Sequence, residues 1–270
     1  MVNDSLDIPR LAQVADEATD AARGVLLGYF GRLTQVEEKP KEGLVSEADK
    51  EAEETLIKIF QKHFPEFGVL GEESGLTSGA DGSEGRWIIE PLDGTTNFVF
   101  GFPVYCISIA FEWKGEIVFG LVDVPPLDRR YTAIKGQGAK KNGQIISVSK
   151  RADVKEALAA TGFAVSDKEA VQAQVQRLDQ VLSVTRGIRR VGSAAFDLCM
   201  VAEGVFDFYW ENNLKPWDIA AGGLIAAEAG GKVTSTANTA YDHMSGDVLA
   251  SNSLLHDQAY SLLLPKPSNP

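Results

Sequence analysis

From Ile8 onward apolar residues return every three or four positions, at Leu11, Ala15, Ala18, Ala22, Val25, Leu26 and Tyr29. That spacing predicts an amphipathic helix of about six turns with one face on a core, ending near Gly31. Residues 37–43 are charged and broken by Pro40 and Gly43, and predict a mobile loop. A second helix is expected from the N-cap Ser46, with Ala48, Ala52, Leu56, Ile59 and Phe60 as its stripe and Pro65 bounding its end. The period then shortens. Strands are expected at 67–70 and 86–89, and a hairpin at 106–113 and 116–122 around Lys114-Gly115. Residues 131–134 and 144–148 continue the strand-rich block, with Asn142-Gly143 as a turn. Val171, Val175, Leu178 and Leu182 mark a further helix, and Ala194, Ala195, Leu198 and Val201 a short one of small residues. The final helix is expected at 218–229, stopped by Gly230-Gly231. Helices, a strand block and then mixed elements make an α+β layered chain, read as one domain over 1–264 with a loose tail at 265–270.

Composition narrows the classes. A chain of 270 residues, 44% hydrophobic and 24% charged, can bury a large core without staples. No run of about 18 uncharged apolar residues occurs, so a membrane span is not expected. The net charge of −12 lacks the basic footprint of a nucleic-acid binder and leaves many carboxylates for divalent cations. Cys106 and Cys199 are the only cysteines, too few for a disulfide framework, which suits a reducing cytoplasm. Neither GxGxxG nor GxxxxGK[ST] is present, so dinucleotide and P-loop chemistry lack their phosphate loops.

Candidate chemistry gathers in three acidic clusters at the ends of apolar elements. They are Gly71-Glu72-Glu73-Ser74, then Glu90-Pro91-Leu92-Asp93-Gly94-Thr95-Thr96-Asn97-Phe98, then Pro216-Trp217-Asp218-Ile219. Rigid elements would aim these carboxylates into a cleft. Each also has a plainer account: Glu72 as loop solubility, Asp93 as a turn residue, Asp218 as an N-cap. Histidine occurs only at 63, 243 and 256, which argues against tetrahedral zinc and for an all-oxygen shell suited to Mg²⁺ or Mn²⁺. Other residues have structural readings. Cys106 and Cys199 are assigned to the core, His63 to helix-end carbonyls, and Arg186, Arg189 and Arg190 to a surface or subunit contact. Trp87 and Trp217 are assigned to packing behind the acids, and Ser193 has no histidine base to make it a nucleophile.

Taken together, these blocks resemble the inositol monophosphatase family of lithium-sensitive, metal-dependent phosphatases. The resemblance runs from Val45-Ser46-Glu47-Ala48-Asp49 through Gly101-Phe102-Pro103 and Gly192-Ser193-Ala194-Ala195 to Trp217-Asp218. It implies a layered α-β-α-β-α sandwich, a homodimer, and Mg²⁺-dependent hydrolysis of a small phosphate monoester, myo-inositol 1-phosphate first. Glu72, Glu90, the carbonyl of Leu92, Asp93 and Asp218 would hold two metals, and Asp49 would help a third through water. Mn²⁺ is a possible substitute. Thr95 with Glu72 would orient the metal-activated water for direct in-line attack, with Asp93 also at the chemistry. The N–H groups of Gly94 and Thr95 would cradle phosphate. Glu211 and the Gly192, Ser193 and Ala194 backbone would contact the alcohol's hydroxyls. Residues 39–43 are a candidate lid or simply a solvated loop. Fructose bisphosphate and histidinol phosphate stay open as substrates, while Thr96 and Asn97 stand where nucleotide 3′-phosphatases carry Lys and Glu.

One position departs from the pattern. The family almost always has aspartate where this chain has Glu90. The extra methylene moves the carboxylate by about 1.5 Å, beyond the tolerance of a preorganised site. Either the backbone retreats and keeps activity, or preference shifts toward Mn²⁺, or the site is damaged and the chain is a weak enzyme or a binding module.

Overall fold

The computed structural model describes residues 6–39, 43–77, 79, 83–163 and 168–265. Helix α1 (Ile8–Tyr29) is capped by the Asp7 side chain and buries Leu11, Val14, Ala15, Ala18, Ala22 and Leu26, the stripe the sequence predicts. Strands β1 (Val36–Lys39) and β2 (Gly43–Ser46) pair antiparallel. The stretch expected to be a loop is therefore hairpin on both flanks, and its lid assignment at 40–42 lies outside the described residues. Helix α2 (Glu47–His63) starts at Ser46 with a capping box closed by Asp49.

A mixed sheet follows: β3 (Gly68–Gly71), β4 (Gly75–Thr77), β5 (Gly85–Asp93), then, after the short helix α3 (Thr95–Val99), β6 (Cys106–Trp113), β7 (Glu116–Val124), β8 (Arg129–Ile134), β9 (Ala139–Lys141) and β10 (Gln144–Ile145). Their order is β10-β9-β8-β7-β6-β5-β3-β4, antiparallel except where β3 runs parallel to β5. The strand expected at 144–148 is only two residues long, and β9 was not foreseen. The second half contains β11 (Leu158–Thr161), α4 (Lys168–Leu182), β12 (Gly187–Arg189), α5 (Ala194–Ala202), β13 (Phe208–Glu211), α6 (Pro216–Glu228), β14 (Lys232–Thr234), β15 (Val248–Ser251) and α7 (His256–Leu263). Its strands form a second sheet in the order β12-β11-β13-β15-β14. The sequence reading missed this sheet, and it took α6 for the final helix where α7 follows. Of the proposed tail, residues 266–270 lie outside the described residues.

Five layers result. α1 and α2 cover one face of the first sheet, α5 and α6 lie between the sheets, and α4 and α7 cover the outer face of the second. Three buried clusters fill the seams, among them Leu56, Phe60, Trp87 and Phe111 under α1 and α2, and Ile88, Val122, Leu198, Ile219 and Tyr209 around α5 and α6. The α+β sandwich that the resemblance implies is the fold observed. All nine residues of α5 are buried, so its sequence shows no one-sided stripe. Close approach is bought with glycine: a Cβ on Gly222 would sit 2.8 Å from Leu198 Cβ, and one on Gly120 of β7 would sit 2.9 Å from the Ala221 carbonyl. No helix among the described residues is long and apolar enough to cross a membrane.

Candidate active site

Strand β5 carries the central acids, and an irregularity in it makes the site. Glu90 pairs with Ser108 and Asp93 with Cys106, so three steps on β5 match two on β6. The extra residue is a bulge between Glu90 and Asp93, where Pro91 has no N–H for the ladder and the Leu92 N–H goes to Glu90 Oε1. Strand alternation would put Glu90 and Asp93 on opposite faces. The bulge instead sends Leu92 into the cluster under α1 and α2 and turns Asp93 toward α5, the same side as Glu90. Behind them Trp87 stacks on Phe60 at 4.1 Å and meets Phe111 edge-on at 4.9 Å, fixing β5 to α2.

Glu72 sits in the tight turn between β3 and β4. Buried Glu53 of α2 holds that turn, accepting the N–H of Glu73 at 2.9 Å and of Ser74 at 2.7 Å. Asp218 is the third residue of α6 rather than its N-cap, and its Oδ2 accepts the Lys215 N–H at 2.7 Å. Ser108 donates to the Trp217 carbonyl at 3.1 Å, fastening the start of α6 to β6.

Asp93 Oδ2 accepts from Ser193 Oγ at 2.8 Å and from the Ala195 N–H at 2.7 Å. The Cys106 thiol lies 3.8 Å from the same oxygen and 3.3 Å from Ser193 Oγ. Cys106 is buried, as expected, yet it borders the site. Thr95 Oγ1 lies 3.0 Å from both Asp49 Oδ1 and the Leu92 carbonyl. Asp49 is thus both the capping-box acid of α2 and a direct partner of Thr95. Gly94, at φ +97°, is the N-cap of α3 and offers no side-chain cap to its N–H groups. Glu211, at the end of β13, accepts the Tyr209 hydroxyl at 2.6 Å.

Electrostatics bind these residues into one cluster. Burial, then the charges of Glu72, Asp218 and Asp93, hold the Glu90 carboxyl well above its usual range. Burial and the charge of Asp93 do the same to Asp218. Burial pushes Asp93 up to about 6 against its hydrogen bonds from Ser193 and Ala195, and Glu211 up to about 7 against those of Tyr209 and the pull of Arg190. The charges acting on Glu90 and Asp218 are those of other acids, and among the described residues neither they nor Asp93 form a salt bridge. Buried acids that raise one another's pKa in this way suit hard divalent ions bound through oxygen. As the side chains stand, one oxygen each of Glu90, Asp93 and Asp218 is turned onto backbone N–H groups. No three histidine, cysteine or acidic side chains among the described residues are grouped to hold a metal ion in that arrangement.

Mutual charge effects link Glu72, Glu90, Asp93, Asp218 and Glu211, hydrogen bonds link Asp49 with Thr95 and Ser193 with Asp93, and Gly192 is close enough that a Cβ on Gly94 would lie 3.4 Å from its carbonyl. Several neighbours escaped notice. Glu53 had a signal, a charge on the buried stripe of α2 one turn after Asp49. Asp197 of α5 had none; its Oδ1 is buried without a partner, and burial and the charge of Glu211 raise its pKa well above the usual range. Arg190 is exposed, in keeping with its surface or subunit-contact assignment, with its guanidinium 5.7 Å over the Phe163 ring, and its charge opposes the upward pKa shifts of Glu211 and Asp197. His63 contacts Arg10 at 2.9 Å and Glu17 at 3.4 Å, not the helix-end carbonyls.

Layered fold and buried acid cluster define the class, a phosphatase among the hydrolases. The chain belongs to the inositol monophosphatase family, whose model matches residues 7–266. It is 40% identical over 248 residues to the inositol-1-monophosphatase of Caulobacter vibrioides, covering 90% of this chain and 96% of that protein. It matches the structure of extragenic suppressor protein SuhB from Bartonella henselae with TM-score 0.91 and 36% identity, covering 95% of this chain and 99% of that one. A structure of an IMPase/NADP phosphatase complexed with Mg²⁺ and phosphate matches at TM-score 0.83 and 25% identity, covering 97% of each chain.

Proposed function

We propose that this chain hydrolyses small phosphate monoesters in a divalent-cation-dependent reaction, with myo-inositol 1-phosphate as the preferred substrate. The observation that carries the reading is the buried cluster of Glu90, Asp93 and Asp218, whose charges and that of Glu72 repel one another beside the uncapped Gly94-Thr95 turn. The Mg²⁺ and phosphate held by a relative agree with it. Glu72, Glu90, the Leu92 carbonyl, Asp93 and Asp218 would hold two Mg²⁺ ions, with Asp49 near a third and Mn²⁺ a possible substitute. Bound there, the ions supply positive charge to the phosphoryl and leaving oxygens and acidify water. The chain's own groups do the rest. Thr95 Oγ1, fixed by Asp49 and the Leu92 carbonyl, orients the attacking water together with Glu72. The N–H groups of Gly94 and Thr95 receive the phosphate. Attack is direct and in line, and Glu211 with the 192–194 backbone receives the alcohol's hydroxyls.

We take residues 1–264 to act as one catalytic unit, in the cytoplasm and as a homodimer. Phe100 and Phe102, 78% and 50% exposed beside α3, offer a second copy an apolar surface. Phosphate release from myo-inositol 1-phosphate tests the function. It should require Mg²⁺ or Mn²⁺, stop with chelator, and fall by about a hundredfold or more in Asp93→Asn. No release with either ion across a panel of esters would leave a binding role instead.

A further inference from the structure

Asn97 lies in α3, two residues beyond Thr95. Its Nδ2 donates to the Val104 carbonyl at 2.8 Å and to the Val191 carbonyl at 2.9 Å, while its own carbonyl accepts the Phe102 N–H at 2.8 Å. Two carbonyl oxygens at one end of the amide fix its nitrogen toward them, since the amide oxygen would meet only acceptors there. Val191 directly precedes Gly192. The segment 191–195 is thus gripped twice from the same turn, by Asn97 at Val191 and by Asp93 at Ser193 and Ala195. Between the grips Gly192 stands at φ +90°, and a Cβ there would lie 2.5 Å from Arg190 Nη1 and 3.2 Å from Asn97 Oδ1.

We infer that Asn97 is a positioning residue that sets which alcohol the enzyme accepts, by fixing Gly192 relative to the phosphate turn. This rests on the reading of the 192–194 backbone given above. Losing the grip at Val191 leaves the Ser193 and Ala195 bonds to Asp93 in place, so the alcohol side shifts while the phosphate side is retained. Asn97→Asp keeps the shape and replaces the donor with oxygen facing two carbonyls. Asn97→Ser replaces the two-proton amide donor with a shorter hydroxyl that cannot span both carbonyls, without adding charge.

The test compares kcat and KM for myo-inositol 1-phosphate with those for p-nitrophenyl phosphate, whose leaving group carries no further hydroxyl. The wild type is measured first, and failure to hydrolyse the inositol ester would refute the functional reading before this one. In Asn97→Asp the ratio of kcat/KM for the inositol ester to that for the aryl ester should fall about tenfold or more, chiefly through KM, while aryl-ester kcat stays within about twofold. An unchanged ratio, or equal losses on both substrates, overturns the inference. If Asn97→Asp does not fold, as its melting curve would show, Asn97→Ser decides by the same ratio.

Discussion

Glu90 shows how one methylene is absorbed. Its Oε1 reaches back to the Leu92 N–H at 3.1 Å, across the bulge that its own strand makes. An aspartate there could accept the same N–H two residues on, as in an Asx turn, but its second oxygen would sit about 1.5 Å nearer the strand. Mg²⁺ tolerates little departure from octahedral geometry, whereas larger ions are more forgiving. Glu90→Asp is therefore expected to raise Mg²⁺-supported turnover severalfold relative to Mn²⁺-supported turnover; an unmoved ratio would refute this. The raised carboxyls give a second expectation. Without cations Asp93 and Glu211 titrate at about 6 and about 7, against about 4 in an unfolded chain. The folded state holds their protons more tightly, so their ionisation costs stability at neutral pH, and that cost fades as the pH falls toward about 4. With chelator, the melting temperature should rise from about pH 7.5 to about pH 5.5, and added Mg²⁺ should raise it more at the higher pH. A Mg²⁺ effect that grows on acidification would contradict the argument. At this scale the sequence was informative where chemistry is local, as in the Asp-Gly-Thr-Thr run. It was silent on Asp197, whose burial shows only in the fold, and on the site contact of Cys106, which comes from Ser193, 87 residues away.

Helix α6 carries Asp218 and lies across β7 with almost no clearance, because Gly120 has no side chain to meet Ala221. Gly120→Ala should therefore push the helix outward. Overpacking of this kind costs about 1–3 kcal/mol, and Asp218 would move with the helix. Phosphatase activity is expected to fall further than the loss of stability alone explains, measured at a temperature where the variant stays folded. Wild-type kcat would show that α6 can shift without moving the acid. Helices α1 and α2 were legible because each has one wet face and one dry face. α5 and α6 lie between two sheets, so their apolar residues surround the axis and the period carries less information. The second sheet was missed because its strands are three or four residues long and most are separated by helices in the chain.

Across the molecule, α1 is pinned to the first sheet by charge as well as by its apolar stripe. Arg23 and Arg130 both reach buried Asp123 of β7, at 3.3 and 3.0 Å, and Arg130 continues to Asp16 and Asp20 of α1. Asp123→Ala would leave both guanidiniums short of a partner, and a loss of about 1–3 kcal/mol in denaturant unfolding is expected. Little change in kcat should accompany it, because the network lies away from the acid cluster. The site itself draws Glu72, Glu90 and Asp93 from the first sheet, and Ser193, Glu211 and Asp218 from the half that builds the second. Neither half owns a working centre. Severing the polypeptide near Arg151 should yield two inert pieces, with turnover reappearing only on their reunion.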